Sequence, residues 1–160
     1  MTQTIELTRS RFKVLQSGDP KTAFHNRTAA QVFAAYGPPN NLLSSSAKAK
    51  KCGKVRVLNR VLYLTPGLFC PAATDGCRKG CLGHTSGCMQ LPSSALARDQ
   101  RAALYLEDQD LFLGMLRVEL AKLRRDAHRN GLIPAVRLNG TSDIPWEELH
   151  PELFDRFGDI

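Results

Sequence analysis

The sequence predicts an α/β fold with a small parallel sheet and a helical crossover, the layout of one part of a (β/α) barrel. Three observations predict it. Short runs rich in β-branched or apolar residues, Val55–Leu58, Val61–Thr65 and Pro134–Leu138, read as strands. Two stretches with apolar residues at three- and four-residue steps lie between the second and third runs and read as helices. The resulting order of strand, long loop, helices, strand, loop and helix places the strands parallel, joined by a right-handed crossover.

The elements follow in order. Gly18-Asp19-Pro20 is a turn. Thr28–Tyr36 reads as a short helix, with Asn26 as its expected cap, and Gly37-Pro38-Pro39-Asn40-Asn41 ends it because proline cannot continue a helix. Residues 40–51 are rich in Asn, Ser and Lys and read as a surface loop. Asn59-Arg60 separates the first two β-branched runs, so they form one bent strand or a hairpin; Pro66-Gly67 stops the second. Residues 68–92 are too rich in Gly and Pro for a regular element. Helix returns at Ser93-Ser94, with Ala95, Leu96, Ala102, Ala103 and Leu106 on its apolar side. A second helix runs from Asp110 to about Asn130, with Phe112, Leu113, Leu116, Leu120 and Leu123 as its core stripe and Gly131 just past its end. After Pro134–Leu138 comes the polar turn Asn139–Asp143, then a helix over Trp146–Arg156. Trp146 and Phe154 are expected in the core; His25, His128 and His150 are expected at the surface or at caps.

The 160 residues fit a single domain, 1–160, with a loosely ordered region at 1–50 and an α/β core at 51–160. No apolar run approaches the ~18 residues needed to span a bilayer, so no membrane association is expected. Met1–Ser10 is polar and lacks the pattern of a secretory signal, which points to a cytoplasmic setting where thiols stay reduced.

Cys70, Cys77, Cys81 and Cys88 are spaced C-x6-C-x3-C-x6-C, with His84 between the last two. Reduced thiols at this density read as metal ligands or as ordinary half-buried thiols. The tight C-x2-C hook common in zinc sites is missing, and the irregular spacing is closer to loops that wrap an iron–sulfur cluster. Read as ligands, the thiols point to an iron–sulfur cluster or Zn2+ as the cofactor. Gly76, Gly80, Gly83 and Gly87 stand beside the ligand candidates, where positive φ would let backbone N–H groups face sulfur. Cys52 stands apart in a basic loop and reads as a plain thiol. In parallel α/β folds ligands bind beyond the carboxyl ends of the strands. The cysteine loop follows one strand and the Asn139–Asp143 turn the next, so both are expected on one rim. Arg137, Asn139, Thr141, Ser142 and Asp143 are then candidate ligand-binding groups; the alternative is a self-bonded turn that caps the next helix.

Charge is divided unevenly within a net +7. Residues 1–91 hold 13 Lys/Arg against 3 Asp/Glu, a balance of +10, and residues 92–160 hold 9 against 12, a balance of −3. The excess peaks in the basic region 48–60, at Lys48, Lys50, Lys51, Lys54, Arg56 and Arg60. Such a run suits phosphate contact with nucleic acid, or a host protein, and is equally the composition of a solvated loop. No Walker loop, dinucleotide fingerprint, HExxH or GxSxG is present, which removes several enzyme classes.

The strings VLYLTPG, CPAATDGCRKGCLGHTSG, Ala97-Arg98 and PAVRLNGTSDIPWE, with LLSSSAKAKK upstream, resemble a bacteriophage family called gene product 88. The resemblance implies a phage or prophage origin and the cytoplasm of the infected host cell. Its pattern carries over onto Cys70, Cys77 and Cys81. Cys88 stands where the pattern has a basic residue, which leaves Cys88 and His84 as alternatives for a fourth ligand. Family members continue with strand-like segments past the position of Ile160, which implies a shortened chain. The expectation is a phage accessory protein with a metal or iron–sulfur site that binds nucleic acid or a host protein. The alternative is a metal-dependent enzyme, because the layout is similar to the opening of a radical-SAM barrel, in which three cysteines hold a cluster and a later turn holds S-adenosylmethionine (SAM). The spacing departs from that family's C-x3-C-x2-C, since His84 occupies the last position.

Overall fold

The computed structural model describes Phe24, residues 27–45 and residues 56–160. The Gly18–Pro20 turn, His25, Asn26, Cys52 and the lysines 48, 50, 51 and 54 lie outside those residues. The first described helix is α1 (Ala29–Tyr36). Its cap is Thr28 rather than Asn26: the Thr28 hydroxyl accepts the Gln31 N–H while the Gln31 side chain accepts the Thr28 N–H, a reciprocal capping box.

The sheet has three strands in the order β1 (Leu43–Ser44), β2 (Val57–Leu62) and β3 (Ile133–Arg137). β2 and β3 run parallel, from Val57 opposite Ile133 to Val61 opposite Arg137. β1 pairs antiparallel with the end of β2, so the sheet is mixed, not wholly parallel. It is also open, and nothing in its three strands closes towards a barrel. The polar composition of residues 40–51 conceals β1. There Leu42 and Leu43 turn inward, and Glu119 accepts both of their backbone N–H groups, at 2.6 and 2.8 Å. β2 runs straight through Asn59-Arg60, which excludes the hairpin, and it ends at Leu62 rather than Thr65.

Beyond β2 the cysteine loop is more regular than its composition suggests. It forms two short helices, α2 (Asp75–Lys79) and α3 (Leu82–Thr85), and a single 3₁₀ turn at Gly87–Gln90. The crossover is α4 (Pro92–Glu107) followed by α5 (Gln109–Arg129). α4 starts at Pro92, a good first-turn residue, so Ser93 and Ser94 lie inside it rather than at its cap. Asp108, not Asp110, caps α5 by accepting the Leu111 N–H at 2.9 Å. Gly131, at φ 63°, ends α5: its N–H reaches the His128 carbonyl and the Leu132 N–H reaches that of Ala127.

The predicted stripe of α5 is buried throughout. Phe112, Leu113, Leu116 and Leu120 share a core with Leu62 of β2, with Leu64, Leu68 and Phe69 just beyond it, and with Trp146, Leu153 and Phe157 from the C-terminal segment. Tyr105 sits at the centre, edge-on to Phe112 at 4.9 Å and to Phe69 at 5.6 Å. The helix expected over Trp146–Arg156 is two helices, α6 (Trp146–Leu149) and α7 (Pro151–Phe157), because Pro151 cannot donate to a continuing helix. The break turns His150 inward, to 4% exposure, while Phe154 lies outside at 39%. His150 thus takes one of the two places expected of it, a cap, between α6 and α7, but is buried there; Phe154 reverses its core expectation.

Candidate functional site

Both loops leave the carboxyl ends of adjacent parallel strands and are fastened to each other there. The Asp143 N–H donates to the Phe69 carbonyl at 2.8 Å, beside Cys70. The Thr141 hydroxyl donates to the Leu64 carbonyl, and the Gly140 N–H donates to that of Leu62 at 3.0 Å. Gly140 has to be glycine, since a Cβ there would fall 2.5 Å from the Leu62 carbonyl oxygen. Gly83 likewise presses α3 onto Pro66 and Thr141, where a Cβ would lie 2.5 Å from the proline ring. The cysteine loop is thus seated on the rim by its smallest residues.

Within the turn, Asn139 is the hub. Its Oδ1 accepts from the Ser142 hydroxyl, the Ile144 N–H and the Trp146 indole N–H, at 3.0–3.1 Å, and its Nδ2 donates to the Ile144 carbonyl. Arg137, exposed, donates to the Asn139 carbonyl at 2.8 Å. Asn139 and Ser142 therefore spend their polar groups on the turn itself, as an Asx turn does, and Thr141 spends its hydroxyl on the tie to Leu64. Asp143 is exposed on the rim.

All four described cysteines are free thiols, Cys70 and Cys81 half-buried, Cys77 and Cys88 exposed. Burial pushes the Cys70 thiol up; a backbone hydrogen bond from Gly67 opposes this, and negative charge on Cys81, Asp143 and Cys77 reinforces it. Those three side chains are its electrostatic neighbours. Gly67, at φ 80°, is thus the glycine that turns its N–H to sulfur. Of the four glycines expected to do so, only Gly87 has positive φ. The reason lies in the short helices. Thr74 caps α2 by accepting the Cys77 N–H at 3.2 Å, and the Cys81 carbonyl accepts the N–H groups of His84 and Thr85. Those N–H groups are consumed by helical turns and do not face sulfur. His84 is exposed in α3. Among the described residues, no three His, Cys, Asp or Glu side chains are arranged as a metal-holding group. Of the loop's large apolar residues, Leu68 and Phe69 are fully buried at its root, while Leu82 and Leu91 are 73% and 54% exposed.

Sequence reasoning missed three buried charged side chains of α4. Arg98, Asp99 and Arg101 of α4 are 4–7% exposed. Asp99 accepts from the Thr65 hydroxyl at 2.8 Å, one residue before Pro66 on which α3 rests. Arg101 holds the approach to β1, donating to the Asn41 carbonyl at 3.1 Å and the Ser44 hydroxyl at 3.2 Å. The available signal was three charged residues within one helical turn, between apolar faces.

The fold and this rim define an α/β protein with a cysteine-bearing loop and a glycine turn at the carboxyl ends of two parallel strands. The family profile described as gene product 88 matches residues 37–160, and the chain belongs to that family of phage proteins. Neither a curated protein nor a solved structure matches it. No helix among the described residues is long and apolar enough to cross a membrane.

Proposed function

We propose that this phage protein is an accessory factor of the host cytoplasm whose cysteine loop binds a thiophilic metal ion or an iron–sulfur cluster through Cys70, Cys77 and Cys81. One observation carries the reading: Cys70 follows Phe69, whose carbonyl ties the cysteine loop to the Asn139–Asp143 turn, so the first of the three thiols stands where the two rim loops are joined. The donor set is soft and thiolate-rich, which suits Zn2+ or an iron–sulfur cluster. In the absence of an ion, three thiolates would repel one another, so nothing draws the sulfurs together until a cation is present. Binding then requires the short turns around Cys77 and Cys81 to shift, and they are held by few buried side chains. His84 or Cys88 supplies a fourth ligand.

Anaerobic purification, metal analysis and an absorption spectrum test this. A broad visible band bleached on reduction identifies a cluster; a colourless protein with one equivalent of zinc identifies a structural site. Cys70→Ala, Cys77→Ala and Cys81→Ala are each expected to abolish uptake, with Cys52→Ala unchanged. A folded chain that takes up neither zinc nor reconstituted iron and sulfide refutes the reading.

A second reading is favoured by the joined rim loops themselves: a metal-dependent, radical-SAM-like enzyme whose ligand sits against the Asn139–Asp143 turn. Asp143 and Arg137 are the turn's exposed charged groups and its candidate contacts. Cleavage of SAM to methionine and 5′-deoxyadenosine by the reconstituted protein, with dithionite as the electron donor, would establish it; SAM left intact under those conditions would exclude it.

A further inference from the structure

Residues 92–160 are net acidic, yet one helix of that half carries cations back to the basic run 48–60. Arg56 stands just before β2, exposed, and its carbonyl accepts the Ile133 N–H at 2.8 Å where β3 begins. Its Nη2 comes within 4.0 Å of where a Cβ on Gly131 would stand, at the stop of α5. The C-terminal part of α5 carries Lys122, Arg125 and Arg129, all exposed. Their spacing puts them on one outward stripe, over about 10 Å of helix, opposite the buried Leu116, Leu120 and Leu123. From Leu120 to Gly131 there is one acid, Asp126. Among the described residues no carboxylate forms an ion pair with Arg56, Lys122, Arg125 or Arg129. By contrast, Arg117 and Arg124 of the same helix are paired with Glu152 and Asp159. Two local reasons for these cations fall short. The helix macrodipole favours cations only within the last turn, which holds His128 and Arg129, so Lys122 and Arg125 lie beyond its reach. Arg56 has φ 63°, a left-handed conformation that glycine or asparagine adopts at lower cost, so backbone geometry does not select arginine there.

We propose that Arg56, Lys122, Arg125 and Arg129 form one composite cationic surface, at the C-terminal end of α5, that binds the phosphate backbone of double-stranded DNA. Charge complementarity carries it. Duplex DNA holds one negative charge per about 1.7 Å of its axis, so a stripe of this length meets several phosphates. The stripe has no aromatic side chain on which unpaired bases could stack, which favours a duplex over a single strand. B-form DNA has a major groove wide enough to admit an α-helix, which A-form RNA lacks, so its flanking phosphates suit cations arrayed along a helix. With phosphates as the contacts, binding is independent of base sequence. The surface needs no metal, so it stands or falls separately from the cysteine loop.

The test is fluorescence anisotropy of the full-length chain with a mixed-sequence duplex DNA of about 30 base pairs, titrated from about 20 to 200 mM salt. Lys122→Gln, Arg125→Gln and Arg129→Gln together are expected to weaken binding about tenfold or more at the low-salt end. They should also lower the slope of log affinity against log salt by up to about three increments of 0.9. Arg56→Asn, which tolerates the left-handed backbone, is expected to lower it by about one increment. Arg117→Gln removes the same charge from an ion-paired arginine of α5 and is expected to leave the slope unchanged. Far-UV circular dichroism checks that each variant is folded. Should the triple variant not fold, R125Q and R129Q carry the test singly, each expected to lose about one increment. An unchanged slope in these folded variants overturns the proposal, as do equal losses in R117Q and R125Q. So does a wild-type chain that does not bind the duplex at 20 mM salt, or that binds the single strand or the duplex RNA of the same sequence more tightly.

Discussion

His150 shows how much one residue's placement depends on the chain around it. Its Nε2 shares a 2.8 Å hydrogen bond with the Tyr105 hydroxyl, and its Nδ1 lies 3.8 Å from the Glu152 carboxylate. Burial pushes the Tyr105 phenol up and holds the His150 imidazole below its usual value of 6.5, with Glu152 opposing that shift and Arg117 adding to it. A depressed folded pKa means that the native chain keeps His150 neutral where the unfolded chain has begun to protonate it. Its contribution to stability is full above about pH 6.5 and is lost as pH falls from there through the folded pKa. The urea midpoint of the wild-type chain is expected to drop between pH 7.5 and pH 5.5, and His150→Asn to flatten that drop. An identical drop in both chains would place the responsible proton elsewhere.

At the scale of elements, α5 is the best specified piece. Phe112, Leu113, Leu116, Leu120 and Leu123 recur at helical spacing, and all five are buried. The helix carries its own cap at Asp108 and its own stop at Gly131. Leu116 lies at 0% exposure in the middle of the stripe. Leu116→Ala is expected to cost about 2–5 kcal/mol, measured by denaturant unfolding. A loss well under 1 kcal/mol would mean that α5 packs less tightly than its burial implies. The C-terminal segment is the counterexample. Its periodicity supports one helix, yet Pro151 splits it, and the two pieces bury Trp146 and His150 against Tyr105.

Over the whole molecule, charge is unevenly divided along the sequence. Residues 1–91 carry +10 while the remainder carries −3, and the densest part of the excess runs through residues 48–60. We propose an acidic partner for that half, nucleic acid or an acidic host surface. With nucleic acid, the binding constant is expected to fall linearly in logarithm with logarithm of salt concentration, with a slope of roughly −0.7 to −0.9 per phosphate neutralised. Replacing Lys48, Lys50, Lys51 and Lys54 by Gln should reduce that slope by up to about four such increments. No measurable binding at 20 mM salt to single- or double-stranded DNA or RNA would leave the host surface as the partner to pursue.

By itself the sequence determined the parallel pairing of β2 and β3, the crossover helices, the core stripe of α5, the shared rim of the two loops and the family. These follow from local rules: β-branched runs, helical periodicity, glycine stops, and the handed connection between parallel strands. Tertiary structure alone decided the antiparallel β1, which hides in a polar stretch and is held by a glutamate 76 residues away. It also decided that Asn139, Thr141 and Ser142 bond within the rim, that His150 points inward, and that Arg98, Asp99 and Arg101 of α4 are buried. A polar side chain's role is set by which partner it finds, and that partner is brought by a distant segment, so spacing along the chain carries no record of it.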